Sequence, residues 1–464
     1  MRRSDDGLDN GPPLLPLSIL ETVWPFFSER HSFIAQGFQF AGSIFRFKLL
    51  RDTVIVVSGE RARTEFLTSK YLDINEGFKV LSGAIPMLPG VTSNLNTGVI
   101  TLIHKRLSNA QSSERLENLI PYILSDIDRA VTTWSSDLID PFAAIPTLCF
   151  QTSVRCLACH ELADDASLVG RLRVLYDKLD TSTTPASVLL PWLPSPSMVT
   201  KLRASKKVYD IIDGAIRARL DSGISRDDTL QMLIDSGDDK LIIVGFIMGL
   251  LVAGARSTGT TASWLVTFLA EDIERRQKAR DEIHALLSLH AYVIDNAKES
   301  VAELLSAIPL EAWEKGTPVL DKLIRETLRI AQPHAAMRRN MGPDIYVDGT
   351  CVPSGSYIVY PFSDVHLNSQ LYVDPWRFDP DRAQVEGKYS YVGWGGGTTV
   401  CLGQRLAKLE MKLILAILLL RSDFTLVDRN GNCPTSAPRP NWNDHLHCKP
   451  TKACFVRFDE HKNC

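Results

Sequence analysis

No basic block, no signal-peptide pattern and no apolar run of about 20 residues occurs in this 464-residue chain. Each absence removes a class of protein. Lysines and arginines are dispersed and the net charge is −3, which argues against a nucleic-acid binder. The most apolar run, Leu241 to Ala255, is closed by Arg256 and is too short to cross a bilayer, so it reads as a buried core helix. Met1-Arg2-Arg3 leads into acidic and polar residues, which is no signal anchor. Membrane contact is then peripheral, or an anchor is missing from this version of the chain. The nine cysteines sit at irregular spacings, which argues for free thiols in an intracellular protein rather than a disulfide scaffold.

What is present is mostly helical. Apolar residues recur at three- and four-residue spacing in Leu116 to Ile127, Val199 to Ile216 and Thr229 to Ile234. Segment 185–198 carries Pro185, Pro191, Pro194 and Pro196 and is expected to be an apolar loop, able to cover a pocket or dip into a membrane surface. Thr317-Pro318 predicts a helix start, with the helix running to about Ile330. Ile345 to Val347, Asp348-Gly349 and Tyr357 to Tyr360 then read as strand, turn, strand, and a last helix is expected from near Cys401 to about Arg421. No internal repeat or long linker interrupts the chain. The expectation is a polar, proline-containing segment over 1–35 and one large domain over 36–464, mainly α with a small β-sheet portion.

The chemistry concentrates in Trp394-Gly395-Gly396-Gly397-Thr398-Thr399-Val400-Cys401-Leu402-Gly403. A glycine-rich loop is expected to deliver one cysteine to the first turn of a long amphipathic helix, where backbone amides and the helix dipole favour thiolate. The glycines let main chain lie close to something large and flat. A buried structural cysteine beside a glycine-rich turn is the plain alternative. Another spacing, Cys156-Leu157-Ala158-Cys159-His160, matches covalent c-type haem attachment, but it lies inside a helical pattern and is set aside.

The cysteine loop resembles that of the cytochrome P450 family: an aromatic residue, two residues, Gly, three residues, Cys, one residue, Gly. Trp394, Gly397, Cys401 and Gly403 occupy those positions, and Ala407 fits the small residue one turn on. Thr399 stands where the family usually has an arginine or histidine pairing with a haem propionate. Two more segments resemble the family in the right order. Glu326-Thr327-Leu328-Arg329, with Arg382 in Pro375-Trp376-Arg377-Phe378-Asp379-Pro380-Asp381-Arg382, matches a structural Glu–Arg–Arg triad that holds the cysteine loop. Ala253-Gly254-Ala255-Arg256-Ser257-Thr258 matches the distal helix, with the small pair kept, the usual acid replaced by Arg256 and the first alcohol by Ser257. Thr258 is the alternative alcohol if the helix is locally bulged. A core helix with incidental hydroxyls would look similar.

The resemblance runs from about Phe40 to the C-terminus and looks most like fungal members with affinity to the sterol-hydroxylase branch. It implies a triangular helical domain enclosing haem b (iron protoporphyrin IX), with Cys401 as the thiolate ligand. Arg338 is the first candidate for a propionate, with Arg339, His104, Lys105 and Arg106 behind it. The implied reaction inserts one atom of O2 into an apolar small molecule, for which a terpenoid secondary metabolite is the guess. Electrons would come from NADPH through a separate NADPH-cytochrome P450 reductase, with Arg405, Lys408 and Lys412 as candidate contacts. A monomer held peripherally on the cytosolic face of the endoplasmic reticulum is expected. Two other functions stay open: an isomerase or dehydratase of the same fold that needs neither O2 nor reductase, and a non-catalytic haem-binding protein. Pocket residues are expected from 76–98, 185–200, 246–258 and 333–338.

Overall fold

Local sequence sets several helix starts. Asp140 caps the helix Pro141–Leu157, its carboxylate accepting from the Phe142 N–H at 2.8 Å, with Pro141 at the first helical position where no donor is needed. In this computed structural model residues 11–82, 97–134, 138–190, 194–290, 300–435 and 438–460 are described. Residues 83–96 and 191–193 of the expected pocket lining lie outside them, as do the first ten residues of the N-terminal segment.

A 32-residue central helix, Lys240–Glu271, organises the molecule. It continues well past Arg256 because Trp264 to Ala270, apolar except for Thr267, are all buried. By length and composition alone this helix could cross a membrane, but its far half is the core of the domain. Helix Pro141–Leu157 packs along it, and Gly259 permits the approach: a Cβ there would lie 2.9 Å from Pro146 Cα. The C-terminal helix, Gln404–Arg421, is also buried over most of its length.

The larger sheet orders its strands Ile44–Leu49, Asp52–Val57, Tyr357–Pro361, Ala335–Asn340, Leu72–Asp73, antiparallel except where Asp52–Val57 meets Tyr357–Pro361. The strand Tyr357–Pro361 is therefore central, which its five buried residues require. It is not the hairpin partner of Ile345–Val347, as the spacing suggested. Thr350–Val352 takes that place, around Asp348 and Gly349 with positive φ.

Segment 185–198 also differs from the expected loop. Pro185 opens a short helix, Pro185–Leu189, capped by Thr184, and Pro196 opens the 27-residue helix Pro196–Ser222, capped by Ser195. Proline breaks a helix interior but is pre-organised for its first turn. The eight cysteines of the described residues are all free. Cys156 and Cys159 are buried, and burial pushes both thiols up, so neither offers a thiolate to an outside group.

One core group is buried at a cost. Glu410, on the C-terminal helix, accepts from Thr152 Oγ1 at 2.8 Å and Ser153 Oγ at 3.5 Å, and burial raises its pKa from the ordinary 4.5 to about 7. The fold thus keeps a proton that the unfolded chain has already lost. Stability falls as pH rises from 4.5 to about 7, and the penalty, about 3 kcal/mol, is complete above that window. Glu410→Gln keeps a hydrogen-bonding amide and removes the charge. It is expected to raise Tm at about pH 8 and leave it unchanged at about pH 4. Equal shifts at both pH values would refute the charge argument.

Candidate functional site

The cysteine loop is built by backbone. Gly395–Gly396 pairs antiparallel with Thr399–Val400, folding the loop on itself, and the Cys401 N–H donates to the Trp394 carbonyl at 2.8 Å. The Thr398 N–H and hydroxyl both reach the Leu67 carbonyl, at 3.1 and 3.3 Å, which pins the loop to the helix Glu60–Thr68. Gly397 sits at φ +60°, and a Cβ there would meet the same carbonyl at 2.1 Å. Cys401 is exposed, three residues before the C-terminal helix rather than inside its first turn. Its neighbours Val400 and Leu402 are exposed too.

The Gly403 N–H favours the Cys401 thiolate, but partial desolvation outweighs it and raises the thiol above its ordinary value. Helix position alone therefore does not produce the thiolate; a metal cation opposite the sulfur would. Among the described residues no group of three or more His, Cys, Asp or Glu could hold a metal ion by itself, so iron at Cys401 would bring its other ligands in a macrocycle.

A flat group with an anionic edge has two footholds beside Cys401. Arg338, on the strand Ala335–Asn340, is 1% exposed, stacks 4.5 Å above the Phe66 ring, and donates to the Phe66 carbonyl and to Thr399 Oγ1. Its Nε has no partner, and burial lowers its pKa to about 10, still fully cationic at neutral pH. The base missing at position 399 is thus replaced by a guanidinium reaching that residue from the sheet, two residues from the thiol. Gly403 supplies the other half of the fit, since a Cβ there would meet nothing within 4 Å. The residues present fit haem: Cys401 would hold its iron and Arg338 would pair with a propionate.

The remaining basic candidates separate. Arg106 is held by Asp238, at 2.7 and 2.9 Å, and Arg339 by Glu76 and the Gly355 carbonyl, so neither guanidinium is available. His104 and Lys105 are exposed on the helix Thr97–Ala110. Just beyond that helix, Gln111 donates to the Leu402 carbonyl at 3.0 Å and accepts from the Leu406 N–H. Gln111 therefore shapes the turn after the thiol; no spacing in the sequence marks it. Arg405, Lys408 and Lys412 are not free to greet an acidic partner. Arg405 holds Glu314 and the Gln111 carbonyl, and both lysines share Asp321, with Lys412 buried.

Glu326 is buried and takes both guanidiniums: Arg329 donates to its two oxygens at 2.8 Å each, and Arg382 Nε to Oε1 at 2.9 Å. The Asp379 N–H adds a further bond at 3.0 Å. Spare donors of the arginines hold the carbonyls of His366, Pro375, Asp374 and Arg377. Within the stretch 253–258 of the central helix, Ala253 and Ser257, one turn apart, are exposed, while Thr258 is buried. Ser257 is thus the alcohol that faces open space, without a bulge. Arg256 points elsewhere, onto Asp180 of the helix Ala166–Thr181.

Several known proteins are similar to this chain over most of its length. The chain is 28% identical over 458 residues to the cytochrome P450 monooxygenase AacuE of Aspergillus aculeatus, covering 92% of this chain and 90% of that protein. It is 28% identical over 398 residues to the cytochrome P450 monooxygenase dmxR5 of Cryptosporiopsis sp., covering 83% and 77%. Bovine lanosterol 14-alpha demethylase is 27% identical over 443 residues, covering 91% and 84%. The solved structure of retinoic acid-bound cyanobacterial CYP120A1 superposes with a TM-score of 0.77 at 21% identity, over 97% of this chain and 99% of that one. The family model described as Cytochrome P450 matches residues 11–454. With that match spanning nearly its whole length, the chain belongs to the cytochrome P450 family.

Proposed function

We propose that this protein is a haem-thiolate monooxygenase that inserts one atom of O2 into an apolar small molecule, with Cys401 as the axial ligand. The observation that carries the reading is the Arg338–Thr399 contact beside an exposed cysteine: a buried cation placed for an anionic edge, and a thiol placed for iron. Bound there, the thiolate-ligated haem supplies O–O bond cleavage. The chain's own residues do the rest. Arg338 would orient the group and neutralise a carboxylate, Ala253 would leave room beside the central helix, and Ser257 offers a hydroxyl that can accept and pass a proton.

For substrate we infer a terpenoid or sterol-like skeleton. The relative named for lanosterol, an apolar isoprenoid product, supports it, as do the apolar residues of the expected pocket segments. Electrons are assigned to NADPH through a separate flavoprotein reductase. Peripheral membrane attachment is assigned to the N-terminal helix Ile19–Ser28, where Leu20 and Trp24 are 81% and 69% exposed.

The carbon monoxide difference spectrum of the dithionite-reduced protein tests the assignment. A strongly red-shifted Soret band, lost in Cys401→His, is expected. A band typical of histidine-ligated haem in the wild type would overturn it. Dependence of turnover on NADPH and a reductase then separates a monooxygenase from an isomerase.

A further inference from the structure

A buried cation without an anion destabilises a fold, and this chain keeps one outside the site described so far. Arg30 opens the helix Arg30–Ala41 and is 5% exposed. Its Nε donates to the Phe26 carbonyl at 3.0 Å, and its guanidinium lies 4.8 Å over the Phe26 ring. Nη2 has no partner. No carboxylate of the described residues acts on it: burial alone lowers its pKa, to about 10, which leaves it cationic at neutral pH. Two acids adjoin the groups gathered here, and neither answers it. Glu29, the preceding residue, is exposed, and the two oxygens of Asp444 accept from the N–H groups of His447 and Lys449.

Two imidazoles share the corner. His334, just before the strand Ala335–Asn340, and His445, in the C-terminal segment, are both within electrostatic range of Arg30. Burial first, and that guanidinium second, lower the pKa of each to about 4, so both rings are neutral. The C-terminal segment is fastened to the helix that Arg30 opens. The Ser32 N–H donates to Asn443 Oδ1 at 3.0 Å, the Asn443 amide donates to the Ser32 hydroxyl at 2.8 Å, and the rings of His31 and Trp442 stand 5.5 Å apart. His445 Nδ1 nevertheless has no partner. His334 has open surface and is desolvated at the same time. Both hold together when that surface opens into an enclosed space rather than into bulk water. His445 is also within electrostatic range of Arg256, the neighbour of Ser257, which sets this corner beside the stretch of central helix that carries the exposed alcohol.

We propose that the substrate carries a carboxylate on its apolar skeleton, and that Arg30 pairs with it while His334 and His445 donate their ring N–H groups to it. Nη2 and one N–H from each neutral imidazole suit the acceptor sites of a carboxylate. The anion supplies the counter-charge that the fold itself withholds from Arg30. These residues come from three elements far apart in sequence, so no motif marks the site. The proposal deepens the monooxygenase reading by naming a polar group on its substrate, and it rests on that reading for the ligand's being the substrate.

Isothermal titration of the ferric holoprotein tests it with two sets of ligands at about pH 8, where carboxylic acids are ionised. One set is farnesoic acid, farnesol and methyl farnesoate; the other is hexadecanoic acid, hexadecanol and methyl hexadecanoate. In at least one set the acid is expected to bind at least about thirtyfold tighter than its ester. In Arg30→Met the acid is expected to fall to the ester's affinity, with the ester unchanged. Tm of the ligand-free variant is expected to hold or rise, because an unpaired buried charge has gone. Acids that bind no better than their esters in both sets overturn the proposal, as does Arg30→Met that keeps the preference for the acid. A variant that loses Tm and ester binding together also overturns it, because Arg30 is then a strut. Should Arg30→Met fail to fold, His445→Leu decides, since it leaves the cation in place. Acid affinity weakened at least about threefold with the ester unchanged supports the site, and unchanged acid affinity overturns it. A preference for the acid in the hexadecyl set alone keeps the carboxylate site and rejects the terpenoid skeleton. Absence of the thiolate band would count against the monooxygenase reading and leave the binding comparison standing.

Discussion

Glu326→Ala is expected to yield protein that is insoluble or free of haem. The carboxylate takes four hydrogen bonds, three of them from the guanidiniums of Arg329 and Arg382. Removing it leaves Arg329, itself buried, without its counter-charge. Breaking a buried pair from one side costs about 3–5 kcal/mol, a large part of a domain's whole stability. The consequence should travel further than the pair, because the same arginines clamp the carbonyls of His366, Pro375, Asp374 and Arg377. That clamp orders the approach to the cysteine loop. Arg377→Ala is the matched control. Its side chain is 64% exposed and pairs with Asp379, so no measurable loss of stability or of haem is expected. Thermal melts and haem-to-protein ratios of the two variants check this. Glu326→Ala with full haem content and parental Tm would show the triad to be dispensable.

Gly397→Ala should damage the site more directly. Left-handed backbone at φ +60° costs a residue with a side chain about 1–2 kcal/mol. The new Cβ would also lie 2.1 Å from the Leu67 carbonyl, the atom that receives the Thr398 N–H and hydroxyl. Relieving that overlap adds about 1–3 kcal/mol and separates the loop from its anchor. Loss of most bound haem is expected, read from the Soret absorbance per mole of protein. Gly403→Ala is the contrast, since its Cβ meets open protein space. It should leave expression unchanged, so any haem loss there reports contact with the group rather than misfolding. Equal behaviour of the two variants would remove the steric argument for Gly397.

Much of this was legible in one dimension because the chemistry is local. The cysteine loop is a run of ten residues whose glycines and thiol act on their own neighbours. The start of helix Pro318–Ile330 is likewise written where it occurs. Where expectation and structure parted, the missing information was long-range. Pro185 and Pro196 look like breakers until the helix each begins is known. Tyr357–Pro361 looks like half of a hairpin until its neighbours prove to be Asp52–Val57 and Ala335–Asn340. The fate of a cation is the clearest instance. Arg106, Arg338, Arg339 and Arg405 are alike as letters. Asp238 lies 132 residues from Arg106 in sequence, and Thr399 lies 61 from Arg338. A charge is used up or left available according to what folding brings within about 4 Å of it, and spacing along the chain carries no record of that. The sequence by itself determined the thiol, its glycine cradle and the family resemblance, because those depend on adjacent residues. Only the tertiary structure decided that Arg338 serves position 399, that Ser257 rather than Thr258 faces outward, and that Asp180 stands against Arg256, because each depends on which helix or strand packs opposite.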